Sequence, residues 1–577
     1  MGYKEKASRE QIMLLPDSIE EYVDEDNPVR VIDAFVDSLD LVALNFTKSK
    51  PAATGCPAYD PSDLLKLYVY GYYNRIRSSR KLKTECGRNV EVMWLMGKLQ
   101  PDFRTISDFR KENAKSLKQV FKEFVKLCDK LKLFNKELLA VDGTKIRAQN
   151  SDDKCFNVEI LQKKLANIEE HIAEYLRAMD KTDDSEWDET MTPEQVRAAL
   201  KELSERKEKY EGYLSELEET GATQKLLTDP EAHRMHSTNS GFHCCYNVQT
   251  AVDSGSHLIA EYEVTDNNTD QGLLSQVCTQ AKETLGVATI EAVADKGYDS
   301  REDIYNCLMN GTVPNVGLKY DKDERIYNLD YIEAGNTEKL RASVKPEDIE
   351  KCLHAGILPE CYEDTAVSVE VQELSTISCF ARNDDGTVIC PMGQVLSKLK
   401  VKGNNTIYGS KEACRQCNNR CTSSSNFKTV SFGPNTDCIP VKMYGGTCKL
   451  QPIPDNARIS SYNHTLNRSD YAAKEKVVIR IRADREKLKE RMCLSEHPFG
   501  TVKWYHGAHY FLCRGKEKVS GEMGLSFLAY NIRRAITLVG VPKLIAAARS
   551  MNKLGISLLL LRIRVRKPEL SEMKGFS

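Results

Sequence analysis

The sequence predicts an α/β fold, in which a mixed-sheet core follows an all-helical N-terminal domain and carries two insertions. Two short apolar segments each lead into an aspartate and then a glycine, as strands do at the edge of a sheet. Heptad spacing of apolar residues indicates a helical hairpin at about residues 155–225. The patterning near the N-terminus favours helices joined by short turns.

Length and composition limit the possible classes of protein. A chain of 577 residues exceeds a single hydrophobic core, so two or three domains are expected. The net charge is −2, with 29% charged residues, so overall charge neither indicates nor excludes a nucleic-acid partner. We find no signal-like segment and no apolar run long enough to cross a bilayer, and therefore expect a soluble cytoplasmic protein with no membrane partner. The 19 cysteines fit reduced thiols and one metal site better than a disulfide framework.

The N-terminal domain, predicted over residues 1–135, changes the sign of its charge along the chain. Residues 1–50 contain six Lys and Arg against eleven Asp and Glu, whereas the next basic segment contains six Lys and Arg against one Glu. Short helices with Arg and Ser near their starts suit contact with DNA phosphates, and a solvated charged face is the alternative. The candidate DNA-contacting residues of this segment are Arg75, Arg77, Arg80, Lys81, Lys83 and Arg88.

The first part of the core is predicted over residues 136–320. An apolar run delivers the Asp142 carboxylate into a Gly-Thr turn, and a second run delivers Asp295 before Gly297. With a hairpin and two helices between and after these runs, the order of elements is β-β-β-α-β-α, typical of an RNase H-like fold. That fold places the two aspartates at adjacent strand ends, where both can reach one pair of metal ions. Carboxylates are the ligands that Mg²⁺ prefers.

The first insertion, at about residues 155–225, is predicted to be an antiparallel helical hairpin. Its first helix carries apolar residues at four-three spacing from Leu161 to Tyr175. The second helix begins at Thr192-Pro-Glu-Gln195, which has the residues of an N-cap, a first-turn proline and a capping box. The hairpin either packs on the core or pairs with another subunit, and we favour a self-contained arm without a catalytic role.

The second insertion, predicted over residues 321–470, is rich in Gly, Asn, Ser and Cys, and its helical and strand signals are weak. Four thiols occur in spacing compatible with structural zinc, which is usually held by four Cys or His ligands. Cys438 and Cys448 are competing ligands, and buried cysteines also serve as small apolar residues. The candidate zinc ligands are Cys390, Cys414, Cys417 and Cys421.

Residues 471–577 are predicted to complete the core and to add C-terminal helices. Glu496 is the proposed third carboxylate of the site. Because Pro498 follows it by two residues, we expect Glu496 near a helix start or a kink and not in the middle of a helix. The alternating segment Arg562-Ile-Arg-Val-Arg566 fits an edge strand or a basic tail.

Several blocks together resemble, in the same order, the DDE transposases of bacterial insertion sequences, in the group with a helical N-terminal domain. The resemblance extends from about residue 15 to about residue 540. The N-terminal blocks are Tyr59-Asp-Pro-Ser-Asp-Leu-Leu-Lys66 and Pro101-Asp-Phe-Arg-Thr-Ile-Ser-Asp-Phe-Arg110. The later blocks are Val141-Asp-Gly-Thr-Lys145, Tyr246-Asn-Val-Gln-Thr-Ala-Val-Asp253, Ala294-Asp-Lys-Gly-Tyr298, Glu496-His-Pro-Phe-Gly-Thr-Val-Lys503 and Leu528-Ala-Tyr-Asn-Ile-Arg-Arg534.

This resemblance implies a fold, an activity and a site. The implied fold is an RNase H-like mixed-sheet catalytic core with an N-terminal all-helical domain, a helical-hairpin insertion and a Cys-containing insertion. The implied activity is cleavage at the transposon ends and transfer of 3′-hydroxyl ends to target DNA by a two-metal mechanism with Mg²⁺ or Mn²⁺. The implied partners are the terminal inverted repeats, target DNA and a second copy of the chain in the DNA complex, with association with the bacterial nucleoid.

The resemblance also assigns roles to individual residues. The catalytic and metal-holding triad would be Asp142, Asp295 and Glu496. Lys503 matches the DNA-contacting lysine of the family, and Trp504 beside it could stack on a base. Many relatives carry a Tyr and an Arg before the glutamate, and the nearest residues here are Leu488 and Arg491. Arg491 is also a candidate DNA-contacting residue. A standalone nuclease on the same fold and a catalytically inactive DNA-binding protein are the alternatives.

Overall fold

The computed structural model consists of two compact units that alternate along the chain. Unit 1 comprises Met1–Asn135, Gly143–Thr269 and Ser495–Ser577, and unit 2 comprises Lys136–Asp142 and Asp270–Leu494. The predicted boundaries near residues 320 and 470 lie outside the described residues, as does the basic segment 562–566. The structure describes residues 18–51, 54, 57–180, 193–237, 241–317, 326–331, 349, 366–373, 378–417, 421–422, 427–441, 465–466, 475–482 and 485–551.

The N-terminal part of unit 1 is helical, as predicted. Several of its helices start at a side chain that accepts a hydrogen bond from the first turn. Asn27 accepts from the Val29 N–H, and Asp60 accepts from the Ser62 N–H. The second helix is buried on nearly all sides, so the others pack around it. The helices are α1 (Pro28–Asp37), α2 (Pro61–Tyr73), α3 (Ser79–Arg88), α4 (Val90–Leu95), α5 (Phe103–Glu112) and α6 (Ala114–Lys130).

The predicted helical hairpin is confirmed. Helices α7 (Val158–Asp180) and α8 (Pro193–Thr220) pack against each other, and residues 181–192 between them lie outside the described residues. The Lys207 ammonium lies 2.9 Å from the Glu169 carboxylate across the pair. At the base of the hairpin, apolar side chains form a small separate core: Phe156, Leu161, Tyr210, Tyr213 and Leu217.

A six-stranded mixed sheet contains strand β1 (Leu138–Arg147). In unit 1, β5 (Gly241–Asp253) pairs in antiparallel fashion with β4 (His233–Ser237) and β6 (Ile259–Thr265). In unit 2, β1 pairs in parallel with β7 (Ile290–Ala294), and β7 pairs in parallel with β8 (Thr312–Val316). The strand order is β4-β5-β1-β7-β8, with β6 paired to β5.

The remaining elements next to this sheet include two helices and two short strands. Helices α9 (Leu274–Leu285) and α10 (Arg301–Met309) flank β7 in sequence, which matches the predicted order of core elements. Strands β2 (Cys155–Phe156) and β3 (Lys225–Leu226) pair at the base of the helical hairpin. The α/β fold with a mixed sheet and an N-terminal helical domain is therefore confirmed.

The described part of the second insertion is built mainly from antiparallel strands, which its weak sequence signal did not predict. In its described residues one sheet contains β9 (Ile326–Tyr331), β10 (Ala366–Glu373), β17 (Thr465–Leu466) and β18 (Glu475–Arg482). The other sheet contains β11 (Ser378–Arg382), β12 (Val388–Ile389), β13 (Val395–Lys402), β14 (Asn405–Gly409), β15 (Thr429–Phe432) and β16 (Cys438–Val441), with helix α11 (Lys411–Arg415) after β14. This sheet has its own buried apolar cluster, formed by Phe380, Val388, Leu396, Val430, Phe432 and Ile439.

Two long helices, followed by a helical segment over residues 541–551, complete the described chain. Helix α12 (Arg485–Gly500) runs into a π-helical turn over Thr501–Tyr505, and α13 (Lys516–Val539) packs against α6 and α2. A Cβ at Gly521 would lie 2.6 Å from the Ala114 carbonyl oxygen, so glycine is needed where α13 meets α6. Within the described residues, no helix is both long enough and apolar enough to cross a membrane.

Candidate active site

Asp142 and Asp295 occupy equivalent positions on neighbouring parallel strands. In the register of β1 and β7, Leu139 is opposite Ala292 and Ala140 is opposite Val293. Asp142, within β1, and Asp295, directly after β7, each lie two residues beyond the Ala140–Val293 pair. Because side chains alternate along a strand, both carboxylates belong to the same face at the same level of the sheet.

The turn after β7 fixes the Asp295 carboxylate. Its side chain accepts a hydrogen bond from the Gly297 N–H at 2.7 Å and so caps a single 3₁₀ turn, Lys296–Tyr298. A Cβ at residue 297 would lie 2.8 Å from the Asp295 Oδ1 atom, which only glycine avoids. The Asp-x-Gly pattern seen in the sequence is therefore a requirement of this turn.

A third carboxylate, Asp270, lies close to this pair and was missed by the sequence analysis. Burial raises the pKa of Tyr298 well above its usual value. The further causes of this shift, in order, are the negative charges of Asp270, Asp142 and Asp295, which therefore surround one buried ring. The position of a Cβ at residue 297 is 3.6 Å from Asp270 Oδ2. In the sequence, Asp270 precedes a helix and could not be distinguished from an ordinary turn residue.

Arg491 contacts the first of the aspartates. Its guanidinium nitrogen lies 3.4 Å from Asp142 Oδ2, and the two side chains are 20% and 21% exposed. Leu488 and Leu494 on the same helix pack against Ala140 of β1 and Val293 of β7. We predicted Arg491 as a DNA contact, but the structure shows it paired with the Asp142 carboxylate.

Glu496 lies in unit 1 with an exposed side chain. Of the two predicted positions, near a helix start or near a kink, the helix start is wrong, because α12 begins at Arg485 and Glu496 falls in its last third, shortly before the π-helical turn. Pro498 is tolerated because it lies just before the π-helical turn, where the regular hydrogen-bond ladder changes. The next residue, His497, lies 3.4 Å from the Tyr530 hydroxyl. The catalytic role of Glu496 remains a prediction from the resemblance.

The donor set of unit 2 is suited to a hard divalent cation. Asp142 and Asp295 offer carboxylate oxygens at matched positions, and Mg²⁺ commonly takes one or two carboxylates with water and phosphate oxygens. In the part of the chain that the structure describes, no three His, Cys, Asp or Glu side chains are arranged to hold a metal ion. Two protein carboxylates therefore fit a site that substrate and water would complete.

Arg77, one of the predicted DNA-contacting residues, is buried and forms a structural ion pair. Its side chain is 9% exposed, and its guanidinium lies 2.7 Å from the Glu522 carboxylate, which is 1% exposed. Arg77 also donates to the backbone carbonyl oxygens of Gly507 and Tyr510. Glu522 accepts further bonds from backbone N–H groups at 2.8–3.1 Å, so it holds the start of α13 against the preceding loop.

The other basic residues of this segment are exposed. The Arg75 guanidinium lies 3.3 Å from the centre of the Tyr505 ring, and Arg80 lies 5.3 Å from that of Phe103. Lys83 pairs with Asp102 at 2.8 Å, and Arg88 pairs with Glu85 within α3. Exposed ion pairs such as that of Lys83 with Asp102 contribute little to stability.

The π-helical turn presents an aromatic side chain to solvent. Trp504 is 80% exposed, and its ring stacks on that of His509 at 6.2 Å with an angle of 19° between planes. Lys503, the preceding residue, is close enough to Cys245 to lower the pKa of that thiol, which burial raises. A basic and an aromatic side chain thus lie side by side, the combination that binds single-stranded nucleic acid.

Comparisons with known proteins agree with this architecture. The family model described as "Transposase domain (DUF772)" matches residues 17–112, and the one described as "Transposase DDE domain" matches residues 134–379. Together they match more than half of the chain, the first over the N-terminal helices and the second over both strand-end aspartates. These matches define the class as a transposase with an N-terminal helical domain. The chain belongs to the DDE transposases.

A solved structure gives a more distant comparison. A chain of the "Cryo-EM structure of piggyBac transposase synaptic complex with hairpin DNA (SNHP)" is 9% identical, with a TM-score of 0.25. The alignment covers 95% of this chain and 83% of that chain. No curated protein matches the sequence. The family membership makes DNA the partner of this protein and implies metal-dependent cleavage and transfer of DNA.

Proposed function

We propose that the protein is the transposase of a bacterial insertion sequence. In this proposal it binds the terminal inverted repeats, cleaves the phosphodiester at each end and joins the freed 3′-hydroxyl to target DNA. The observation that carries the proposal is the register of β1 and β7, which sets Asp142 and Asp295 at equivalent positions on neighbouring strands. Paired carboxylates on rigid strands are what a phosphoryl-transfer site requires for alignment.

We propose that Asp142 and Asp295 hold divalent cations, Mg²⁺ or Mn²⁺. Bound cations neutralise charge on the phosphodiester oxygens and lower the pKa of an attacking hydroxyl or water. For Glu496, the support is the resemblance of its sequence segment. Asp270 also lies near the aspartates, where its negative charge adds to the attraction for cations. Arg491 neutralises Asp142 when no cation is bound.

The exposure of the basic and aromatic side chains supports the choice of DNA-contacting residues. Arg75, Arg80 and Lys81 are exposed, and Trp504 offers an aromatic ring to an unpaired base. Lys83, Arg88 and Lys503 would supply further phosphate contacts. We also propose that two copies of the chain act together on the two ends of the element, and that the DNA-bound protein associates with the nucleoid.

An assay on DNA ends tests this function. The wild-type protein, given duplex DNA from the flanks of its own gene with Mg²⁺ or Mn²⁺, is expected to cut the end and to join it to a target plasmid. Asp142→Asn and Asp295→Asn should lose both steps and keep binding to the ends. Glu283→Gln is the matched control, because this exposed carboxylate on α9 has no assigned role.

Other results of this assay would indicate other functions. Cutting without joining would identify a standalone nuclease, and end binding without cutting by the wild-type protein would identify an inactive DNA-binding protein. Near-normal cleavage by either Asn variant would remove that residue from the proposed site.

A further inference from the structure

Three segments of the second insertion meet at one end of the antiparallel sheet formed by β11 to β16. The turn after β12 leads into β13, and Ser397 of β13 is paired with Gly409, the last residue of β14. Gly409 is in turn paired with Thr429, the first residue of β15. The β12–β13 turn, the segment after β14 and the segment before β15 therefore lie together. Each of them carries cysteine.

The turn after β12 fixes the backbone at Cys390. The backbone N–H of Cys390 donates to the Gln394 carbonyl at 2.8 Å, and that of Gly393 donates to the Cys390 carbonyl at 2.9 Å. Gly393 has a φ of +76°, which closes the turn without strain.

The other thiols approach from the second and third segments. Helix α11 carries Cys414 and is capped by Ser410, whose side chain accepts from the Ala413 N–H at 3.2 Å. Cys417 follows directly after that helix, and Cys421 precedes β15. Cys390 and Cys421 both pack against the apolar cluster of this sheet.

The structure also separates these four from a competing thiol. Cys438 is buried in β16, where it is hydrogen-bonded to Cys379 on the neighbouring strand β11. Cys390 and Cys421, in contrast, are partly exposed and pack at the edge of the apolar cluster. Cys448 lies outside the described residues.

We propose that Cys390, Cys414, Cys417 and Cys421 bind one structural zinc ion that joins the three segments at this end of the sheet. Four thiolates in a set with one pair two residues apart match the usual donors of structural zinc. Each thiol gives up its proton to solvent as its sulfur binds the ion. Among the described residues, no three of these sulfurs are arranged to hold an ion as they stand, so zinc binding requires the sulfurs to move closer together. This site is chemically distinct from the carboxylate site of Asp142 and Asp295, because thiolates select zinc and carboxylates select Mg²⁺.

Metal analysis of the full-length protein, purified without added metal, tests the proposal. We expect about one zinc per chain, retained in Cys493→Ser and lost in the double variant Cys414→Ser with Cys417→Ser. Cys493 is the matched control because it is an exposed thiol on α12, away from the four. Zinc-free, folded wild-type protein would overturn the proposal, as would a double variant that keeps its zinc.

Cobalt replacement covers the case in which the double variant does not fold. Wild-type protein loaded with Co²⁺ should show the visible bands of tetrahedral cobalt and the charge-transfer absorption of cobalt–thiolate bonds. Removing zinc with a chelator should also lower the Tm of the wild-type protein. Octahedral cobalt without thiolate absorption, or an unchanged Tm on chelation, would exclude a four-thiolate structural site.

Discussion

The guanidinium of Arg491 lies 3.4 Å from the carboxylate of Asp142, the residue that we propose as a metal ligand. If Asp142 holds a cation as proposed, arginine and the cation compete for the same carboxylate. Partly exposed ion pairs of this kind are worth about 0.2–1 kcal/mol, so the competition would be modest. In the structure the pair neutralises the strand-end carboxylate.

Replacing Arg491 should consequently strengthen cation binding. We expect Arg491→Ala to bind Mn²⁺ more tightly than the wild-type protein, by up to about five-fold, because about 1 kcal/mol of competition is removed. Arg491→Lys should fall between the two. Titration calorimetry on the DNA-free protein measures the change, and weaker Mn²⁺ binding by Arg491→Ala would mean that Arg491 does not compete for the Asp142 carboxylate.

Asp142 and Asp295 should act as one unit in catalysis. Each single Asn variant should reduce the cleavage rate by at least about two orders of magnitude, and the double variant should be hardly slower than either, since a damaged pair no longer holds the cation. Single-turnover cleavage of labelled end DNA gives the three rates. If the fold-loss of cleavage rate in the double variant equalled the product of the two single fold-losses, the two carboxylates would contribute independently.

Arg77 should behave as part of the core, unlike its exposed neighbours. Breaking its buried pair with Glu522 leaves an uncompensated charge, so Arg77→Ala should lower the free energy of unfolding by about 3–5 kcal/mol. Arg75→Ala with Arg80→Ala should leave stability unchanged. That double variant should instead flatten the slope of log affinity against log salt by about 0.9 for each lost phosphate contact. Urea unfolding measures the effect on stability, and DNA binding at several salt concentrations measures the effect on phosphate contacts. An unchanged salt slope would show that Arg75 and Arg80 are solvated surface residues that do not contact DNA.

The same pair predicts a dependence of stability on pH. Burial raises the pKa of Glu522, but the charges of Arg110 and Arg77 outweigh it and hold that pKa below its usual value. A carboxyl whose pKa is lowered in the folded state stabilises the protein above its unfolded pKa of about 4.3 and loses this contribution as pH falls through the folded value. Unfolding free energies measured from pH 7 down to acid should fall less steeply for Glu522→Gln than for the wild-type protein. If the curves of unfolding free energy against pH were parallel for the two proteins, Glu522 would not contribute to the loss of stability in acid.

The sequence predicted the elements whose signal is local. The heptad spacing of α7 and α8 and the Asp-x-Gly turn after β7 each lie within one short segment, and both are found in the structure. The strands of the second insertion were missed for a physical reason. Strand β13 does alternate lysine with Leu399 and Val401, but only Leu396 of its eight residues is buried, so this alternation does not mark a buried face of the kind that identifies a core strand.

Long-range relationships could not be predicted from the sequence. Arg77 looks like every other residue in its basic segment, and only its partner Glu522, 445 residues away, makes it a core residue. Asp270 likewise acquires its place near Asp295 through the packing of α9 against β7. The pairing of Arg491 with Asp142 follows from the apolar contacts of α12, which its sequence neighbours alone do not specify.

Trp504 offers a test of DNA contact that leaves the fold intact. Because its side chain is 80% exposed, Trp504→Ala should not change the Tm. If a base stacks on the ring, the variant should bind end DNA with an unpaired terminus more weakly by about 1–3 kcal/mol, with the same salt slope as the wild-type protein. Trp504→Phe should restore part of the loss, because any aromatic ring can stack. Fluorescence anisotropy with duplex and frayed ends makes the comparison, and equal affinities for the wild-type protein and Trp504→Ala on the frayed end would show that no base stacks there.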